Sequence, residues 1–187
     1  AAKHVGIDFR GARVSIEGFG NVGTFVFKFL HAWGAKIIAV SDSRGTAYHE
    51  DGLDEKKLHA LKRAGKSVAE YPGATSLARD AIFHIETDIL VPAAITDVIY
   101  EANVDSIKAA LIVEGSNIPM REHIEEKLLA RGVMIVPDFV ANAGGVISSY
   151  AEHMGYDAKK MFALVETKVV KSTEAVMSRA LKDHKNP

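Results

Sequence analysis

The chain has 187 residues, 48% of them hydrophobic, and its 23 lysines and arginines nearly balance its 24 aspartates and glutamates. A chain of this length can bury a full hydrophobic core. The net charge of -1 gives no electrostatic support for nucleic-acid binding, and the absence of cysteine excludes disulfides and thiolate chemistry. No apolar run is long enough to span a membrane, and the first residues lack the apolar segment of a signal peptide. We therefore expect a cytoplasmic protein that does not bind membranes.

The first predicted elements surround a glycine-rich turn. A strand over residues 13–17 precedes Gly18-Phe19-Gly20-Asn21-Val22-Gly23, and an amphipathic helix follows. Apolar residues from Val22 to Trp33 recur at offsets of three and four, which predicts one packed face with Trp33 in the core. A second strand then ends at Asp42, nineteen positions after Gly23. This order of strand, glycine turn, helix, strand and acid predicts a dinucleotide-binding site. The alternative is a glycine-rich turn that binds no ligand.

Each position of the turn has a physical role in such a site. Gly18 permits the sharp change from strand to helix, and Gly20 presents no Cβ to a pyrophosphate that approaches the backbone. Gly23 allows the helix to pack closely on the strand. The pyrophosphate would then meet unpaired N–H groups at the positive end of the helix dipole, and Asp42 would accept hydrogen bonds from a ribose diol.

The remaining elements alternate between strands and helices. We predict a loop over 43–52 and an irregular segment over 66–77. The predicted strands are 88–91, 110–114 and 133–136, and the predicted helices are 53–64, 121–131 and 157–183. This alternation predicts an α/β fold with a doubly wound, mostly parallel, Rossmann-type sheet in three layers, followed by a C-terminal helical extension. We assign 1–150 to a nucleotide-binding domain and 151–187 to the extension, and we expect both to be part of a larger protein.

Small or polar residues follow the predicted strands. Examples are Ala93-Ala94, Gly115-Ser116-Asn117 and Pro137-Asp138. Because ligands of open parallel sheets bind outside the carboxyl ends of the strands, we expect these segments to line one crevice, although every strand needs some turn after it. Gly144-Gly145, before an apolar helical stretch, indicates close approach of the backbone to a ligand or a hinge between loop and helix.

Five motifs in this order resemble a known family. They are Gly18–Gly23, Ala39–Ser43, Asp88–Ala94, Val113–Asn117 and Pro137–Val146. Together they resemble the cofactor-binding domain of the glutamate dehydrogenases, within the wider glutamate/leucine/phenylalanine/valine dehydrogenase family, and most of all the archaeal or bacterial hexameric type. The resemblance covers nearly the whole chain. It implies oxidative deamination of glutamate to 2-oxoglutarate and ammonia, with hydride transfer to NAD(P)+.

The resemblance also implies a role for individual residues. Gly18, Phe19, Gly20, Asn21, Val22 and Gly23 match the pyrophosphate turn. Asp42 and Ser43 match the adenosine-ribose site, Ala93 and Ala94 the lining of the cofactor ribose, and Asn117 and Asn142 the nicotinamide end. Val146 and Ser149 match the substrate pocket, where the family serine contacts the γ-carboxylate of glutamate.

The catalytic residues of the family lie in a preceding domain, within a Gly-Gly-Gly-Lys-type motif that has no counterpart here. We therefore expect no catalytic residue in this chain, cofactor binding without turnover, and an N-terminal catalytic domain as its partner within a homohexameric parent. Asp42 favours NAD by repelling a 2′-phosphate, whereas Ser43 and Arg44 would suit NADP.

Three alternatives remain open. Ala151-Glu152-His153 replaces the Phe-Glu-Trp usual in the family, which leaves another amino-acid substrate open. A nucleotide-sensing module without catalysis would share the same fold. Tyr156-x-x-x-Lys160 has the spacing of the catalytic pair of short-chain reductases, but their glycine pattern and upstream serine are missing. The histidines lack metal-ligand spacing, so we expect no metal site.

Overall fold

The computed structural model describes residues 1–183 and 185–187 and contains one seven-stranded sheet. The strands are β1 Arg13–Glu17, β2 Lys36–Asp42, β3 Gly45–Tyr48, β4 Thr75–Leu77, β5 Ile89–Pro92, β6 Leu111–Val113 and β7 Met134–Val136. The α-helices are α1 Asn21–Ala32, α2 Glu55–Arg63, α3 Glu122–Ala130, α4 Asp138–Ala141, α5 Gly144–His153 and α6 Ala158–Asp183. Short 3-10 helices span Ala2–Val5, Val68–Glu70, Arg79–His84 and Val104–Ser106.

The strand order is β4-β3-β2-β1-β5-β6-β7. Five adjacent strands run parallel, in the order β2, β1, β5, β6 and β7. The other two, β3 and β4, form an antiparallel edge next to β2. From β1 the chain continues to β2 on one side and later to β5 on the other, so the order reverses between β1 and β5. This is the switch point at which doubly wound sheets open a crevice at their carboxyl edge. The predicted α/β class with a mostly parallel sheet is confirmed.

The core lies on both faces of the sheet. Along β5, Ile89 and Val91 belong to one cluster of buried side chains and Leu90 to the other. Because successive strand residues point to opposite faces, these two clusters lie on opposite sides of the sheet. The first cluster includes Phe27 of α1 and Leu58 of α2, and the second includes Ile124 and Leu128 of α3. Helices on both faces give the predicted three layers.

Two segments differ from the sequence prediction. The predicted loop over 43–52 contains β3, and the predicted irregular segment over 66–77 contains a 3-10 helix and β4. Both strands form an antiparallel edge in which Thr46, Ala47 and Tyr48 pair with residues 75–77. A three- or four-residue edge strand next to turn residues has too short a pattern to stand out in the sequence.

The apolar face of α1 also differs from the prediction. Trp33 is 64% exposed rather than buried, and Phe25 and Phe29 are exposed beside it. The buried residues of α1 are instead Gly23 and Phe27. The predicted long C-terminal helix is confirmed as α6, but only Met177 and Ala180 of it are buried.

Candidate cofactor site

Two glycines of the turn are explained by the packing of the protein itself. Gly18 has a φ of 96°, and a Cβ built there would lie 2.7 Å from the Cβ of Ala94. A Cβ at Gly23 would lie 1.8 Å from the carbonyl oxygen of Gly18. The amide of Gly18 donates a hydrogen bond to Oγ of the buried Ser41 at 3.1 Å, which fixes the turn to the end of β2. Larger side chains at either glycine would force the turn apart.

Gly20 is different, because nothing in the described chain requires a glycine there. Its φ of -87° suits any residue, and a Cβ at this position would have no atom within 4 Å. Gly20 is the N-cap residue of α1, and no side chain caps this end of the helix. The amide groups of the first turn of α1 therefore face an open space that a ligand can approach.

The side chain of Phe19 lies in the core rather than in the open space at the start of α1. Its side chain is buried against the ring of Phe27, with 6.2 Å between the ring centroids. Its carbonyl oxygen accepts a hydrogen bond from Nζ of Lys62 at 3.1 Å. Asn21 and Val22, the next two residues, are exposed at the start of α1.

A buried carboxyl group that the sequence analysis missed joins the end of β1 to the residues that follow β5. Glu17, only 2% exposed, ends β1 directly before Gly18. Its Oε2 accepts a hydrogen bond from the amide of Ala94 at 3.2 Å, and Nη2 of Arg79 lies 3.6 Å from its Oε1. Burial raises the pKa of Glu17, and the amides of Ala94 and Ala93 together with Arg79 oppose this rise. The exposed Ala94 and the buried Ala93 are thereby held against the glycine turn.

At the end of β2, the carboxylate of Asp42 organises the loop that follows it. Its Oδ1 accepts hydrogen bonds from the amides of Arg44 at 2.8 Å and Gly45 at 3.1 Å and from Oγ of Ser67 at 2.9 Å. Its Oδ2 accepts one from the amide of Val68 at 2.8 Å. Burial raises the pKa of Asp42, but these four hydrogen bonds together lower it by more than burial raises it. The pKa therefore lies below its ordinary value. Ser43 lies exposed in the same loop.

The two predicted nicotinamide-binding asparagines meet. Nδ2 of Asn142 donates a hydrogen bond to Oδ1 of Asn117 at 2.7 Å, which joins the loop after β6 to the end of α4. Asp138 supports the same loop, because its Oδ2 accepts a hydrogen bond from the amide of Ile118 at 2.8 Å. Ile118 has a positive φ of 45°, an unusual conformation for a β-branched residue that this contact helps to hold.

Behind this pair lies Glu114, a second buried carboxyl group that the sequence analysis did not assign to the site. Its Oε2 accepts a hydrogen bond from the amide of Asp138 at 2.8 Å, while its Oε1 has no partner among the described residues. Burial, together with the negative charges of Glu125 and Asp138, raises its pKa to about 8 despite the Asp138 amide. The sequence signal was a glutamate that directly follows the apolar run Leu111-Ile112-Val113.

The two predicted substrate residues lie on α5, away from the core. Val146 is 78% exposed, and Ser149 is also exposed. Its Oγ donates a hydrogen bond to the carbonyl oxygen of Gly145 at 3.2 Å. Neither residue lines the apolar cavity described below, although Gly145 and Ser148 beside them do. A substrate pocket at these residues would need further atoms to enclose it.

A cavity of about 980 Å³ opens beside the crevice, between α1 and α6. Its floor consists of Ile89 and Val91 of β5 and Leu111 and Val113 of β6. Val22 and Asn142 are the members of the predicted cofactor site that line it. The glycines of the turn and the Asp42 loop do not line it, so this apolar cavity meets the predicted path of the dinucleotide only at Val22 and at the nicotinamide end.

Within the described ranges, no group of three or more histidine, cysteine, aspartate or glutamate residues could hold a metal ion. No helix in this part of the chain is long and apolar enough to cross a membrane.

A model of the Glutamate/Leucine/Phenylalanine/Valine dehydrogenase family matches residues 1–186. The chain belongs to this family. A glutamate dehydrogenase from Aeropyrum pernix is 41% identical over 174 residues, covering 90% of this chain and 42% of that protein. An NADP-specific glutamate dehydrogenase from Saccharolobus shibatae is 43% identical over 152 residues, covering 81% of this chain and 36% of that protein.

Among solved structures, the hetero-hexameric glutamate dehydrogenase from Thermus thermophilus in a leucine-bound form superimposes with a TM-score of 0.86 at 29% identity. That match covers 99% of this chain and 45% of the other. This member of the Glutamate/Leucine/Phenylalanine/Valine dehydrogenase family therefore spans less than half the length of the relatives it matches. The family is NAD(P)-dependent, in agreement with the predicted class of cofactor.

Proposed function

We propose that this chain is the NAD(P)-binding domain of a glutamate dehydrogenase and binds the dinucleotide across the carboxyl edge of its sheet. The observation that carries the proposal is the open position of Gly20. Protein atoms explain Gly18 and Gly23, whereas no neighbour and no unusual φ explains Gly20. A ligand whose phosphates approach the backbone at the start of α1 accounts for that glycine.

The residues around the turn fit a dinucleotide. Uncapped amides of α1 would bind the pyrophosphate, and the loop of Asp42 and Ser43 would face the adenosine ribose. Ala93 and Ala94 would line the nicotinamide ribose, with Glu17 behind them. Asn117 and Asn142, already joined by a hydrogen bond, would hold the nicotinamide end. The cofactor supplies the hydride chemistry when it is bound, and these residues bind and orient it.

Substrate binding and turnover belong to a larger assembly in this proposal. Val146 and Ser149 would form one wall of the amino-acid pocket, and a second, catalytic domain would supply the rest. The length of the relatives, more than twice that of this chain, supports such a domain. Names of relatives support glutamate as the substrate and a hexameric parent. The isolated chain would bind cofactor without catalysing the reaction.

The test is titration of the purified chain with NADH and NADPH, in the wild type and in Gly20→Ala. A Cβ at Gly20 meets no protein atom, and only the N-cap preference for glycine over alanine is lost, so we expect a small fall in the thermal midpoint and at least a tenfold loss of affinity, about 1.4 kcal/mol. Gly23→Ala is the contrasting variant, in which both folding stability and binding should fall. Equal affinity of Gly20→Ala and the wild type would refute the proposed path of the pyrophosphate.

A further inference from the structure

One residue, Asp138, holds the loop that carries Asn117. This loop follows β6 and is fixed on both sides of the asparagine. On one side, the amide of Ser116 donates a hydrogen bond to the carbonyl oxygen of Pro92, at the end of β5, at 3.0 Å. On the other side, the amide of Ile118 donates to Oδ2 of Asp138 at 2.8 Å. The position of Asn117 therefore depends on where Asp138 lies.

The same aspartate fixes Asn142. Helix α4 has only four residues, and the amide of Asn142 at its end donates a hydrogen bond to the carbonyl oxygen of Asp138 at its start, at 2.8 Å. Nδ2 of Asn142 then donates to Oδ1 of Asn117 at 2.7 Å. Because both asparagines are bonded to Asp138 or to the loop it holds, a displacement of Asp138 would move the pair.

Glu114 in turn holds the amide of Asp138. This amide is the first of α4 and has no acceptor within the helix, and the preceding Pro137 has no side-chain acceptor to cap it. Oε2 of Glu114 accepts its hydrogen bond at 2.8 Å, across from the end of β6. Glu114 is itself anchored, since its own amide donates to the carbonyl oxygen of Val136 in β7 at 3.1 Å. With 2% of its surface exposed, Glu114 acts on a ligand through its neighbours rather than by contact.

We infer that Glu114 is a positioning residue that sets Asn117 and Asn142 for the nicotinamide end of the cofactor through the amide of Asp138. This inference rests on the proposed binding of a dinucleotide and concerns one end of that site. Among the described residues, the side chain of Glu114 has no hydrogen bond to the glycine turn or to the Asp42 loop. Loss of its acceptor should therefore weaken the nicotinamide end and leave the adenosine end unchanged.

The deciding variant is Glu114→Met, which keeps an unbranched side chain of similar length and removes the carboxyl acceptor. Each cofactor is compared with the same molecule without its nicotinamide: NADH with ADP-ribose, and NADPH with 2′-phospho-ADP-ribose. We expect the dissociation constant of the reduced cofactor to rise about tenfold, because a buried amide is left without an acceptor at the nicotinamide end. The dissociation constant of the ligand without nicotinamide should stay within about threefold of the wild-type value.

Glu114→Gln is the rescue variant. The pKa of about 8 leaves Glu114 largely protonated at pH 7, so glutamine is its neutral counterpart and its side-chain carbonyl oxygen can still accept the hydrogen bond of Asp138. At pH 7 it should bind all four ligands within about threefold of the wild type. Glu122→Met, at an exposed position of α3, is the matched control and should change none of the four dissociation constants.

The outcomes separate the inference from the proposed function. Equal weakening of both members of a ligand pair in Glu114→Met, no weakening of either, or a loss in Glu114→Gln as large as in Glu114→Met would overturn the inference and leave dinucleotide binding intact. A wild type that binds none of the four ligands would overturn the proposed function. In that case the NMR signals of the Asn142 side-chain amide decide the positioning role: unchanged shifts in Glu114→Met would refute it, and altered shifts would support it.

Discussion

Asp42, at the end of β2, and Glu114, just after β6, both lie at the carboxyl edge of the sheet, but the pKa values of the two carboxyl groups are shifted in opposite directions. Asp42 receives four hydrogen bonds, and its pKa is lowered. Glu114 receives one hydrogen bond among the described residues, lies near Glu125 and Asp138, and its pKa rises to about 8. Deeper burial and two neighbouring negative charges raise the pKa of Glu114, whereas four hydrogen-bond donors outweigh the smaller burial of Asp42.

The largest expected effect concerns Glu114. Because its pKa is raised in the folded state to about 8, native stability is highest below its ordinary pKa and falls as pH rises toward 8. The slope for one group is about 1.4 kcal/mol per pH unit. Glu114→Gln removes this dependence, so we expect it to exceed the wild type by a few kcal/mol at pH 9 and by much less at pH 5. Urea unfolding at both values measures the difference.

Glu122→Gln is the matched control for that experiment, since Glu122 is an exposed glutamate on the neighbouring helix α3. It removes the same charge without a buried carboxyl group, so its stability should follow the wild type at both pH values. If the stability of Glu114→Gln exceeded that of the wild type by the same amount at both pH values, Glu114 would be ionised throughout this pH range.

Asp42 should show the reverse dependence. Because its pKa is lowered in the folded state, its contribution to stability is present above its ordinary pKa and is lost as pH falls through the lowered value. Asp42→Ala leaves four donors without an acceptor, and we expect a cost of about 3 kcal/mol at pH 7. The cost should shrink below about pH 4, where the carboxylate of the unfolded chain takes up a proton before that of the folded protein does. Thermal unfolding at pH 7 and pH 3 measures both, with Asp51→Ala as the control.

Glu17 provides an intermediate case and the smallest expected effect. It is buried like Glu114, but it has the amide of Ala94 and the guanidinium of Arg79 as partners. Arg79→Ala removes the cation, so the pKa of Glu17 should rise further and stability at pH 7 should fall by about 1 kcal/mol. Carboxyl NMR titration and urea unfolding measure the two effects. Arg63→Ala, at an exposed position of α2, should leave the Glu17 titration unchanged.

Local patterns were sufficient to predict the turn and most of the sheet. Strands β1, β2, β5, β6 and β7 follow apolar runs bounded by polar or glycine residues. The edge strands β3 and β4 were missed because both are short. β3 forms a hairpin with β2, whereas β4 pairs only with β3, across a long stretch of chain that no local pattern spans.

The electrostatic character of the site could not be read from the sequence. Two donors of Asp42 come from Ser67 and Val68, which a motif centred on β2 does not include. The raised pKa of Glu114 depends on its burial and on the charges of Glu125 in α3 and Asp138 in α4. The exposure of Trp33 was missed for a related reason, since the helical spacing identifies an apolar face but not the element that covers it.

The exposed indole of Trp33 gives the chain an intrinsic fluorescent probe. Trp33 is the only tryptophan in the sequence, and its ring lies 6.4 Å from Phe29 and 6.5 Å from Phe9, at the mouth of the apolar cavity. Any molecule or segment that enters the cavity would displace water from this one ring and shift its emission to shorter wavelength.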